Sequence, residues 1–114
     1  MRSWIVAAWV TALLAITGAT AGEAEKWHAL HTCTAEHVQD VARFVVSLEE
    51  GAQLIFETLC VSETTDLANH MARHREELTG ALGERFGSAK YVIERELRKE
   101  LYQEKREIGR RGGG

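Results

Sequence analysis

Proline is absent from this 114-residue chain, cysteine occurs twice, and aromatic residues make up only 7 %. Without proline, a helix here can be interrupted only by glycine or by a competing cap. The two cysteines form no Cys-x-x-Cys pair, which excludes a four-cysteine metal knuckle and a vicinal dithiol. No segment alternates apolar and polar residues, so nothing competes with helix for the apolar pattern. There is no Gly-rich phosphate loop, no Gly-x-Ser-x-Gly elbow, no His-Glu-x-x-His helix and no nucleophile beside a base, so enzymatic activity is not expected. An excess of positive charge is also missing: 17 acidic residues face 14 basic ones, which argues against a nucleic-acid binder.

The long apolar run that does occur is at the amino terminus. Arg2 provides a positive start, residues 4–17 are uncharged and mostly apolar, and Ala19-Thr20-Ala21 is a small-residue cleavage site. Residues 1–21 therefore read as a signal peptide cut between Ala21 and Gly22. A retained anchor is the alternative, because residues 4–21 are uncharged over about the minimum length of a membrane span. No cysteine follows the cleavage point and no twin arginine precedes the run, so neither a lipid anchor nor twin-arginine export is indicated. The expected destination is secretion from a eukaryotic cell or a bacterial periplasm, with no stable span once the signal is removed.

Cleavage removes one basic residue, leaving 13 against 17 acidic ones, a net charge of −4. The charge is polarised. Residues 22–70 hold nine acids against Lys26 and Arg43, whereas residues 71–114 hold 11 basic residues against eight acids. The two halves should attract one another, within the chain or across an interface with a partner.

The stretch that sets the fold class is 34–60. Val38, Val41, Val45, Leu48, Ala52, Ile55 and Leu59 recur at spacings of 3, 4, 3, 4, 3 and 4, a stripe along one side of a helix. Thr32 or Thr34 can cap it, and the register passes Gly51 unbroken, so one continuous helix is expected. Residues 23–31 form a short packed helix or an arm before it. Residues 62–66 are a cluster of N-cap types before Leu67, Met71, Leu78 and Leu82, the apolar face of a second long helix. Gly87 and Ser88 end that helix and start a third, residues 89–108, with Val92, Ile93, Leu97, Leu101 and Ile108 inward. The expectation is an all-α, small antiparallel bundle of three long helices with a fourth short one. It occupies residues 22–108, and 109–114 form a flexible tail.

An exported chain with two thiols is expected to join them. Along one straight helix, however, Cys33 and Cys60 would stand ~40 Å apart. An intrachain bridge thus requires a bend, and a bend at Gly51 brings the two close only if residues 32–35 fold back. Two straight helices lying antiparallel would instead staple a homodimer twice. Free thiols are the third alternative.

His70 and His74, four apart, can point one face of the second helix at a common ion, and helical projection turns both toward the apolar stripe with Met71. His28, His31 and His37 surround Cys33 and add borderline ligands suited to zinc, copper or nickel. Hydrogen-bonded core histidines explain the same pattern without a metal. Gly109-Arg110-Arg111 has the form of an amidation and dibasic signal that would leave an amidated Ile108. The function expected from these features is an exported helical module that meets a protein partner with the valine–leucine stripe or with its acidic front half, with no cofactor required. The alternatives are a histidine-based transition-metal protein and an amidated peptide precursor.

Overall fold

The computed structural model describes residues 21–112. The expected signal peptide lies outside the described residues except for Ala21, as do positions 113 and 114 of the expected tail. The described chain is helical with no strand: α1 (Ala21–Phe44), α2 (Leu48–Leu54), a π-helical turn (Ile55–Leu59), α3 (Val61–His74) and α4 (Leu82–Arg111). Because α2, the π turn and α3 follow one another with scarcely a break, the molecule is built of three long rods.

Contacts along the rods fix their directions. Glu23 and Cys33 of α1 meet Arg75 and Cys60, so the second rod returns antiparallel to the first. Val45 and Glu57 meet Lys105 and Lys90, so α4 runs antiparallel to the second rod in turn. The bundle of three long rods is therefore the one expected, but its turns fall elsewhere, at residues 45–47 and 75–81.

The first turn falls where the β-branched pair Val45-Val46 precedes Ser47. The Ser47 hydroxyl accepts a hydrogen bond from the Glu50 N–H at 3.0 Å, a true N-cap. Thr32, expected as a cap, lies inside α1 and returns its hydroxyl proton to the His28 carbonyl at 3.0 Å. Residues 23–31 are thus the first turns of a 24-residue helix, not a separate arm. Gly51, passed over as a tolerated defect, is a packing requirement: a Cβ there would stand 2.8 Å from Leu101 Cδ1 and 3.1 Å from Val41 Cγ1.

The second turn contains Gly80 at φ +96°, a left-handed conformation that favours glycine. Arg85 donates from its guanidinium to the Arg75 carbonyl at 3.3 Å, covering the open end of α3. Gly87 does not end a helix. Together with Gly83 it lies inside α4 with open space around it, and α4 continues through Gly109 to Arg111. The expected helix start at residue 89 and free tail from 109 are both corrected by this.

Every member of the valine–leucine stripe is buried or half-buried, so the stripe was the right face of the wrong rod. Val38 and Val41 belong to α1, and Ala52 and Ile55 belong to the returning rod. They converge with Leu30, Leu67, Met71, Ile93, Leu97 and Leu101 on one core.

Candidate functional site

The π turn is the local device that shapes the centre of the molecule. The Cys60 N–H bonds back to the Ile55 carbonyl at 2.8 Å, one residue farther than α-helical pairing, so one carbonyl per turn loses its usual partner. The buried Thr64 hydroxyl stands 2.7 Å from the Phe56 carbonyl and 2.9 Å from the Cys60 carbonyl, and its single proton serves one of them at a time. Cys60 is thereby held at the start of α3 facing α1.

Cys33 and Cys60 are joined within the chain, with their Cα atoms 6.0 Å apart. The ~40 Å separation of the straight-helix reading does not arise, because the bend lies at 45–47 and not at Gly51. From there the rising arm to Cys33 and the returning arm to Cys60 are each about 11 to 13 residues long, so their ends meet. Neither thiol is free, and the sulfurs are taken up without a second copy.

The five histidines divide into three places. His37 lies one helical turn beyond Cys33, and one of its ring nitrogens and the two cysteine sulfurs all fall within 4.8 Å of one another. His28 and His31 leave α1 on another side, because only the i+4 position shares the Cys33 face of a continuous helix. They border a groove of about 390 Å³ between α1 and α4, together with Trp27, Val92 and Arg95. His31 Nδ1 is 2.6 Å from Glu100 Oε1, and the bond to that carboxylate raises the His31 pKa above its ordinary value, against partial burial. The grouping of His28, His31 and His37 around Cys33 is therefore corrected to His37 alone.

His70 and His74 do form a pair, with ring centroids 4.4 Å apart, but they do not point into the core. His74 is exposed and His70 half-buried. The inward projection leaned on Leu78, which the turn at 75–81 removes from the helix. The true buried face of α3 is Thr64, Leu67, Ala68, Met71 and Ala72. Burial, followed by the charges of His74 and Lys26, lowers the His70 pKa. Among the described residues, the three-ligand cluster that forms is Cys33, His37 and Cys60, not this pair.

Near the same end, Glu23 is almost fully buried and meets the Arg75 guanidinium twice, at 2.7 Å from Nε and 2.6 Å from Nη2. Burial alone would raise its carboxyl. The bonds and charge of Arg75, helped by the Trp27 N–H and the charge of His70, overcome that and hold it below the usual carboxylate range.

The feature missed in the sequence is on α4. Tyr91, Arg95, Arg98, Tyr102 and Arg106 recur at spacings of 4, 3, 4 and 4, an arc of about 80° opposite Ile93, Leu97 and Leu101. Tyr91 is 60 % and Tyr102 52 % exposed, large apolar surfaces held open to water. The Arg98 and Arg106 guanidinium carbons each stand 5.8 Å from a tyrosine ring centroid, over Tyr91 and Tyr102 respectively. No carboxylate shares the arc between positions 91 and 106. A shallow depression of about 380 Å³ flanks it, floored by Leu48 and edged by Arg95, Lys99 and Tyr102. Its signal in the sequence is the spacing of 4, 3, 4 and 4 on the side of the helix opposite the inward apolar positions.

At the other end, Gly109-Arg110-Arg111 forms the last turn of α4, where Arg111 is 3.2 Å from Glu104, so the dibasic pair stands on a helix and not on a free tail. Compared with protein-family models, with curated proteins and with solved structures, the chain matches none.

Proposed function

We propose that the chain is an exported, non-enzymatic helical module whose business end is the tyrosine–arginine ridge of α4, docking on an acidic protein surface. The observation that carries this reading is the composition and exposure of the ridge. Two half-exposed tyrosines, each with an arginine over its ring, stand in line with a third arginine and with no carboxylate between them. Tyrosine and arginine are enriched among the residues that dominate binding energy in protein interfaces, because each offers a large surface with one polar end. Rings already covered by guanidinium groups lose little freedom on docking. A protein partner is favoured over nucleic acid because the chain as a whole is net negative and repels a long polyanion. The intrachain disulfide supports the exported setting.

The test is photo-crosslinking in the producing cell, with a benzophenone amino acid at position 91 or 102 and at exposed Asn69 of α3 as control. The reading expects one adduct from the α4 positions, absent from position 69. That adduct should disappear with Arg98→Glu and Arg106→Glu and weaken as salt is raised. Equal labelling from all three positions, or adducts indifferent to both charge reversals, would refute it.

A further inference from the structure

We propose that the reduced protein holds a zinc ion on Cys33, His37 and Cys60, so that one locus closes α1 onto α3 either through a disulfide or through a metal. The site is independent of the α4 ridge and stands or falls without it.

Four observations converge on it. The two sulfurs and one His37 nitrogen already lie within 4.8 Å of one another. Ligands around tetrahedral zinc, at about 2.3 Å for sulfur and 2.0–2.1 Å for nitrogen, stand roughly 3.4–3.8 Å apart. His37 therefore needs to close by at most about 1.3 Å, while the sulfurs part on reduction. Cys33 and His37 are four residues apart on one rigid helix, so their spacing is fixed by α1 and not by a loop. Cys60 sits at the first position before α3, and the π turn with Thr64 beneath it holds it there. π turns within a helical rod frequently fall at functional positions. His37 is half-buried and makes no hydrogen bond or ion pair among the described residues, so nothing competes for its ring.

Two thiolates and an imidazole are soft and borderline donors, a set that selects zinc over magnesium or calcium. The conversion balances with a dithiol reductant. The dithiol passes two electrons and two protons to the Cys33–Cys60 bond and leaves as its own disulfide, and zinc then displaces both thiol protons and takes up His37. Three protein ligands leave the fourth tetrahedral position for water.

The experiment uses the full chain, reduced with a phosphine that does not itself bind zinc, and titrated with cobalt(II) as a coloured surrogate and then with zinc. The expected result is one ion per chain, intense tetrahedral ligand-field bands with a thiolate-to-cobalt charge-transfer band, bleaching by zinc, and two protons released per zinc at a pH where the thiols are protonated. The zinc-loaded reduced protein should regain the melting temperature lost on reduction, and His37→Ala should weaken binding by at least about tenfold. The double variant His70→Ala with His74→Ala should bind as the parent does. If the reduced apo-protein unfolds, recovery of helical circular dichroism on adding zinc is the supporting outcome. Absence of thiolate bands, unaltered binding in His37→Ala, or equal loss in the His70/His74 variant overturns the site.

Discussion

Reduction of Cys33–Cys60 in metal-free solution should cost the fold about 3.6 kcal/mol. The bridge joins positions 27 apart and so closes a loop of 28 residues. Closing such a loop in the unfolded chain removes about 2.1 plus 1.5R ln 28, roughly 12 cal/mol/K, which at 25 °C is the figure given. For a domain of this size each kcal/mol moves the midpoint by about 4–8 °C, so the melting temperature should fall by roughly 15–30 °C. Against a total stability of about 5–15 kcal/mol, the reduced protein is left marginal. The assay is paired guanidinium unfolding, followed by circular dichroism at 222 nm, of the oxidised and the phosphine-reduced protein, with chelator in both. Because release of the cross-link lets the unfolded chain expand, the denaturant slope should steepen as the midpoint falls. Agreement of the two free energies within about 1 kcal/mol would refute the reasoning, since an intrachain loop of this length cannot be thermodynamically silent.

Two further outcomes follow from buried polar groups. Glu23→Gln should destabilise by about 2–3 kcal/mol at pH 7, below the 3–5 typical of a broken buried pair because Arg75 keeps 26 % of its side-chain surface in water. The folded Glu23 carboxyl titrates below its unfolded value of about 4.3, so its contribution is present above that pH and is lost as pH falls through the lower folded value. Parent and variant should therefore converge in guanidinium midpoint as pH is lowered from about 5 through and below the ordinary carboxylate range, and parallel curves would contradict the assignment. Thr64→Val and Thr34→Val should differ in sign. The first removes the proton donated to the π-turn carbonyls and should cost about 1–2 kcal/mol, whereas the second removes a buried hydroxyl with no hydrogen-bond partner among the described residues and should gain about 1 kcal/mol. Thermal melts of the two variants check the pair, and equal signs would show that one hydroxyl has been assigned the wrong environment.

The fold class was legible because the apolar register survives the first turn, though not the second, where Leu78 leaves the helix and Leu82 stands exposed. Val38 to Leu59 keeps its spacing of three and four across the break at 45–47, so inward positions could be named while the rod carrying them was misplaced. The breaks were not legible for a physical reason. Cap-type residues at 32, 34, 64 and 88 outnumber the caps used, and only tertiary packing decides that Ser47 caps while Thr64 turns its hydroxyl to carbonyls opened by a π turn. His37 could have been singled out from Cys33 by the i+4 rule, had the helix been taken to begin at residue 21. The His70–His74 pair was legible as a pair, and its orientation was lost with the helix end that removed Leu78.

The polarised charge of the chain bears on what α4 is for. If attraction between the halves served only to close the bundle, the 11 basic residues after position 70 should be spent on the nine acids before it. Only Arg75 and Lys90 are spent so, on Glu23 and Glu57, and each lies near a turn or rod end where one pair fixes alignment. Lys99, Arg110 and Arg111 pair with carboxylates of α4 itself, exposed contacts worth little to stability. Arg98 and Arg106 turn to tyrosine rings in place of any carboxylate. Folding thus leaves the basic half largely unneutralised from without, and places uncommitted charge on a helical face that also exposes aromatic surface. A solvated face needs charge but gains nothing from open tyrosine rings; a docking face needs both, and that is the combination α4 presents.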